Sequence, residues 1–267
     1  MTLPDGFIPP YIAVLRTLSA EGTPSRTWAD YRSLGLNQAD VPGLIDVMVD
    51  PELNTSSDPA KHWMPLHAWR ALGQLGAVEA VQPLIEQMIA LDDDYLGNEF
   101  QQVMALLGPA AIPPLAAALS RRDFDPIVRG AMAEAIGAIG QAHPSVATAA
   151  AVLVAERLEH FAEHTAELNS LLVGALLDLR AVQHADIIER VMTSGPIDEQ
   201  FCGDWEDVQI ELGLLDQRTT PRVWRRPPDI DAVPPSYSGP PQARKRDKTK
   251  AKAKRKLAKA SRRRNRR

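Results

Sequence analysis

Residues 125–140 read DPIVRGAMAEAIGAIG. Asp125 is a good helix cap, and Pro126 suits a first helical position, where its missing N–H has no intrahelical partner to lose. Val128, Met132, Ala135, Ile136 and Ile139 then recur at helical spacing, which predicts one apolar face. Ala131, Ala133 and Gly137 are small enough to let a neighbouring helix approach closely. The stretch predicts a long helix with close neighbours.

Similar punctuation recurs on both sides. LGLNQADVPGLIDVM, LGAVEAVQPLIEQM and LGPAAIPPLAAAL share a Leu-Gly step, then Val or Ile, then Pro and Leu, and LRAVQHADIIERVM is a weaker copy. Gly35, Gly76 and Gly108 precede Pro42, Pro83 and Pro114 by seven, seven and six residues, and Gly76, Gly108 and Gly140 are each 32 apart. Glycine just past a helix can take the left-handed conformation that closes it, and proline is tolerated at the start of the next. Each unit therefore reads as an antiparallel helix pair. One pair cannot bury its apolar face alone, but stacked pairs bury a continuous core.

The pattern Asp125-x-x-Val128-Arg129, with Ala-rich spacing to Ile136-Gly137-x-Ile139-Gly140, resembles the HEAT repeats of the phycobilisome-lyase-like class. His67 to Gly76 (HAWRALGQLG) resembles the second half of that pattern, without the Asp and Arg that begin it. Residues 203–215 (GDWEDVQIELGLL) are similar to the closing segment of uncharacterised bacterial HEAT-repeat proteins. The resemblance spans roughly residues 30–215 and implies an armadillo-like α-solenoid. It implies a scaffold more than an enzyme, although a minority of such proteins act on chromophores.

The expected map is all-α: a cap and first repeat over 7–51, pairs over 61–91, 95–122, 125–163 and 166–193, and a closing helix over 198–215. In that closing helix Asp204 is the expected N-cap, with Glu206 and Asp207 in the first turn. Residues 216–243 hold seven prolines and read as an extended linker. Residues 244–267, RKRDKTKAKAKRKLAKASRRRNRR, hold 15 Lys/Arg against the single acid Asp247, a net +14. The whole chain is net -4, so residues 1–243 carry -18.

This asymmetry predicts two electrostatic surfaces. The tail residues Arg244, Lys245, Arg246, Lys254, Arg255, Lys256, Arg262, Arg263, Arg264, Arg266 and Arg267 would neutralise phosphates, giving salt-sensitive contact with RNA, DNA or a ribosome, or with an acidic partner. No aromatic residue follows Tyr237, so base stacking is not available and such contact would be indifferent to sequence. In HEAT-like solenoids the second helices line the concave surface. By that resemblance Glu79, Gln82, Glu86, Gln183, Asp186 and Glu189 would face a basic or polar protein partner.

Several constellations suggest other chemistry. His160-Phe-Ala-Glu163-His164 fits the inverted zincin spacing, with two histidines one helical turn apart and Glu163 as base. The same residues also fit a solvated helix end before a turn. Asp92, Asp93 and Asp94, with Glu99, offer oxygen ligands or a solvated turn. Cys202, the only cysteine, has no histidine nearby and acids beyond it, which argues against a nucleophile and excludes a disulfide within the chain. Trp63, Trp69 and Trp205 read as core residues, with an exposed binding anchor as the other option. The first residues lack the basic start of a secretory signal, and no apolar run approaches the ~20 residues that span a bilayer. The expectation is a cytoplasmic, non-enzymatic adaptor with no cofactor or metal. A chromophore-lyase-like enzyme or a zinc hydrolase is the alternative.

Overall fold

Every regular element among the described residues is helical. The structure is a computed structural model that describes residues 8–21, 25–90 and 96–221. The acidic run at 92–94, the linker beyond residue 221 and the basic tail lie outside the described residues.

The helices are α1 (Pro10–Ala20), α2 (Val41–Val49), α3 (Pro51–Asn54), α4 (Pro59–His62), α5 (Met64–Leu75), α6 (Val81–Ala90), α7 (Leu96–Leu107) and α8 (Ile112–Ser120). They continue with α9 (Pro126–Ala142), α10 (Pro144–Leu158), α11 (Ala166–Asp178), α12 (Ala185–Ser194), α13 (Glu199–Cys202) and α14 (Trp205–Leu212). Among the described residues no single helix is long and apolar enough to cross a membrane.

Two rows form. α5, α7, α9 and α11 pack in succession as a first row, and α2, α6, α8, α10 and α12 as a second. The first four second-row helices also pack on the next first-row helix: α2 on α5, α6 on α7, α8 on α9, α10 on α11. α13 and α14 close against α11, and α1 covers α4 and α5. Four of the second-row helices are preceded by a short 3-10 turn, at Gln38–Asp40, Val78–Ala80, Pro109–Ala111 and Val182–His184.

First-row helices have neighbours on nearly every side, so apolar and small residues surround their axes. α11 is buried without interruption from Leu168 to Leu177, including Asn169 and Ser170. Those two are stitched into loops: Asn169 Nδ2 donates to the carbonyls of Phe161 (3.0 Å) and Pro196 (2.9 Å), and Ser170 Oγ accepts from the Asp198 N–H (2.9 Å). On α9, Asp125 accepts from the Ile127 N–H at 2.8 Å and Pro126 opens the helix. Val128, Met132, Ala135, Ile136 and Ile139 are all buried.

Four features differ from the sequence reading. Gly140 does not end its helix: α9 runs to Ala142, and a Cβ at Gly140 would lie 2.4 Å from Leu179 Cδ2. Its glycine is needed for close packing, not for a turn. In the weak copy, Arg180 stands where glycine would and takes a positive φ of 49°. Among the described residues no helix runs up to Gly35. Residues 25–36 instead follow an irregular path bound to the end of α5, where Gln74 Oε1 accepts from the Tyr31 N–H (2.9 Å), Gln74 Nε2 donates to Ala29 O (2.8 Å), and Arg32 donates to Gln74 O (2.6 and 2.9 Å). Finally, the closing segment is two helices, because Gly203 (φ 85°) breaks the chain between them. α14 begins at a reciprocal capping box in which Asp204 and Asp207 accept from each other's N–H.

Candidate interaction surfaces and a buried polar cluster

The six residues expected to meet a partner are all exposed. They form two groups. Glu79, Gln82 and Glu86 lie on α6 and its leading turn, where Gln82 Nε2 donates to Glu86 Oε1 at 2.9 Å. Gln183, Asp186 and Glu189 lie on α12 and its leading turn. α8 and α10 stand between them in the second row. The exposed residues of α8 are Pro113, Ala117 and Ser120, all uncharged. The acids therefore form two patches separated by a neutral strip.

The patch on α6 extends to α2, which the sequence reading did not include. Segments 38–49 and 78–90 carry four acids, Asp40, Asp46, Glu79 and Glu86, and no Lys, Arg or His. α2 packs on α6, and none of the four acids has an ion-pair partner among the described residues. Their field reaches Tyr11 on α1, whose hydroxyl is raised above its ordinary pKa by burial first, then by Asp46 and Asp40. The α12 patch, unlike the α6 one, has a cation on its own helix: Arg190, which pairs with Glu159, just past α10, at 2.7 Å.

His160, Glu163 and His164 do not share a helix face. α10 stops at Leu158, Phe161–Glu163 is a 3-10 turn, and His164 is extended (φ -98°, ψ 158°). Glu163 pairs with Arg122 at 2.5 Å and lies 3.8 Å from His160 Nδ1. Both Nδ2 protons of Asn169 go to carbonyls, so its Oδ1 faces His164 Nδ1 at 3.1 Å, and His164 donates there. Burial holds His164 below its ordinary pKa. The hydrogen bond to Asn169 opposes this, while Arg129, Arg157 and His160 add to the lowering. A metal dication would meet like charge at this corner. Among the described residues no group of three or more His, Cys, Asp or Glu is arranged to hold a metal ion.

Cys202 is fully buried against Met192, with the two sulfurs 4.0 Å apart. Trp69 is fully buried edge-on to Phe100, while Trp63 and Trp205 are partly buried against the core.

One cluster escaped the sequence reading. Tyr31 Oη and His67 Nδ1 lie 2.6 Å apart, and one turn further along α5 Arg70 makes a two-pronged bond to Glu99: Nε to Oε2 at 2.9 Å and NH2 to Oε1 at 2.6 Å. Arg70 also donates to Ser25 O at 3.1 Å and lies 5.3 Å from the centre of the Trp28 ring. All four side chains are buried. Burial pushes His67 down to about 4, helped by the charge of Arg70, so the ring is neutral near pH 7. Burial also raises the Tyr31 hydroxyl above its ordinary value, with Arg70 opposing. Among the described residues His67 Nε2 has no hydrogen-bond partner. The cluster ties the irregular segment 25–36 to α5 and α7. Nothing local marks it, because its members come from three separate parts of the chain.

Comparison with protein families, curated proteins and solved structures finds no match to this chain. Its class therefore rests on its own architecture: an all-helical protein of two packed helix rows.

Proposed function

We propose that the chain is a HEAT-like solenoid acting as a non-enzymatic adaptor, which binds a basic protein segment through the α2–α6 face. One observation carries this reading: two adjacent second-row segments present four acids and no basic residue, none of the acids paired among the described residues. A surface of one sign raises the encounter rate with an oppositely charged partner and disfavours like-charged ones. The basic tail supplies a second, salt-sensitive contact to nucleic acid or an acidic surface. Two linked weak contacts act together as a stronger one. The two-row packing supports the solenoid reading, since each pair buries its apolar face on the next.

Affinity capture with the full chain, a 216–267 deletion and a Glu79→Lys/Glu86→Lys variant tests this. Charge reversal is expected to remove the selectively bound protein, and tail deletion to remove salt-sensitive nucleic acid. An unchanged bound set in both variants would overturn the proposal.

A further inference from the structure

We propose that the corner formed by the ends of α8 and α10 and the starts of α9 and α11 binds a phosphate-type oxyanion. Arg129 is its innermost ligand, with Arg157, Arg122 and His164 around it. This site is independent of the acidic face and takes a ligand of opposite charge.

Arg129 is only 6% exposed. Its Nε donates to Leu119 O at 2.9 Å, and no carboxylate lies within ion-pair distance of it among the described residues. The other deeply buried arginine, Arg70, has Glu99 across from it. Burying a guanidinium without a counter-ion is costly, so the two sites differ in what they lack.

Further positive charge gathers around Arg129. Arg157 donates to Ser120 Oγ at 2.8 Å and also has no carboxylate partner among the described residues. Burial first, then Arg157 and Arg122, lower the pKa of Arg129. Arg129 and Arg157 are both felt by His164. Three acids near this corner are engaged elsewhere. Glu159 is held by Arg190 at 2.7 Å and Asp123 by Arg121 at 2.6 Å, while Asp125 caps α9. Glu163 holds Arg122, but those side chains are 50% and 73% exposed, and exposed pairs are weak enough to exchange. Guanidinium groups match phosphate oxygens in a two-pronged geometry.

His164 adds a donor. Its Nδ1–H is committed to Asn169, so a proton taken up on binding goes to Nε2. An anion beside it favours the charged ring.

The test is titration of the histidine ring resonances of the full chain in saturating inorganic phosphate, against sodium chloride of equal ionic strength. The tail contains no histidine, so its own phosphate contacts do not enter this readout. The His164 midpoint is expected to rise by about 0.5–1 pH unit in phosphate, while His62 on α4 stays put. Arg157→Gln, checked as folded by circular dichroism, is expected to lose the response, and Arg16→Gln to keep it. Adenosine monophosphate separates the sources: an equal response assigns the phosphate group alone, a stronger one a nucleotide. An unchanged His164 midpoint, an equal shift at His62, or a full response in Arg157→Gln overturns the proposal.

Discussion

Arg70 and Glu99 meet in a two-pronged ion pair, 2.6 and 2.9 Å, with side-chain exposures of 2% and 11%. The pair joins α5 to α7 and, through Ser25 and Trp28, holds the irregular N-terminal segment. Removing one partner leaves a buried charge uncompensated, which costs about 3–5 kcal/mol. Glu99→Ala is therefore expected to destabilise the fold by about that much in urea denaturation. Arg70→Met/Glu99→Leu, which removes both charges, is expected to lose much less. A double variant as unstable as Glu99→Ala would show that the geometry of the pair, and not charge balance, holds the corner.

His67 makes stability depend on pH. Its folded pKa of about 4 lies below the ordinary 6.5. In that window the unfolded chain binds the proton more readily than the folded one. The contribution of the neutral buried ring is thus fully present above about pH 6.5 and is lost as pH falls towards 4, by up to about 3 kcal/mol. The measurement is the difference in unfolding free energy between the parent chain and His67→Gln at pH 7.5, 5.5 and 4.5. That difference is expected to fall with pH. A constant difference would mean that His67 titrates alike in both states.

These two pairs mark the limit of what sequence makes visible. Helix starts were legible at Asp125–Pro126 and Asp204, because a cap and its N–H lie within three residues. Tyr31 and His67 are 36 residues apart, and Arg70 and Glu99 are 29 apart. No local spacing announces such partners: Arg70 and Glu99 meet because α5 and α7 share a row, and Tyr31 and His67 because the segment 25–36 is bound to α5. The HFAEH motif failed for the converse reason. Its spacing suits a metal only on a continuous helix, and α10 ends two residues before His160. Gly140 misled because glycine serves both turns and close packing, and sequence does not separate the two.

The packing role of glycine separates two neighbouring sites on α9. A Cβ at Gly137 would meet Ala175 at 3.4–3.6 Å, an ordinary contact, whereas one at Gly130 would lie 2.1 Å from Leu171 Cδ1 and 2.8 Å from its Cβ. Alanine is favoured over glycine in a helix interior by about 0.5–1 kcal/mol, and overpacking a filled core costs about 1–3 kcal/mol. Gly137→Ala is therefore expected to raise the melting temperature slightly, and Gly130→Ala to lower it. Thermal unfolding of the two variants checks both signs. A stabilising Gly130→Ala would mean that α11 shifts freely along α9.

Arg218 closes the described part of the chain. It binds Asp204 at 2.7 and 2.8 Å and Asp207 at 2.7 Å, and lies 3.5 Å from Glu206, while Thr219 and Thr220 also bond Glu206. One guanidinium thus folds the segment after Gly213 back onto the capping box of α14. The acids raise the Arg218 pKa, with the hydrogen bond that Arg218 donates to Asp204 the leading cause. The hydrogen bond from Thr219 leads in lowering Glu206. The clasp therefore favours the charged states of Arg218 and Glu206. Arg218→Ala is expected to leave the two helix rows intact and to speed chymotryptic cleavage after Leu214 and Leu215, read by mass spectrometry. Arg218→Lys is expected to fall between, because an ammonium cannot reproduce the forked contact. High salt should speed cleavage of the parent chain more than that of Arg218→Ala, since only the parent has the ion cluster to screen. Equal cleavage rates in all three chains would mean that the hydrogen bonds of Thr219 and Thr220 hold the segment without the arginine.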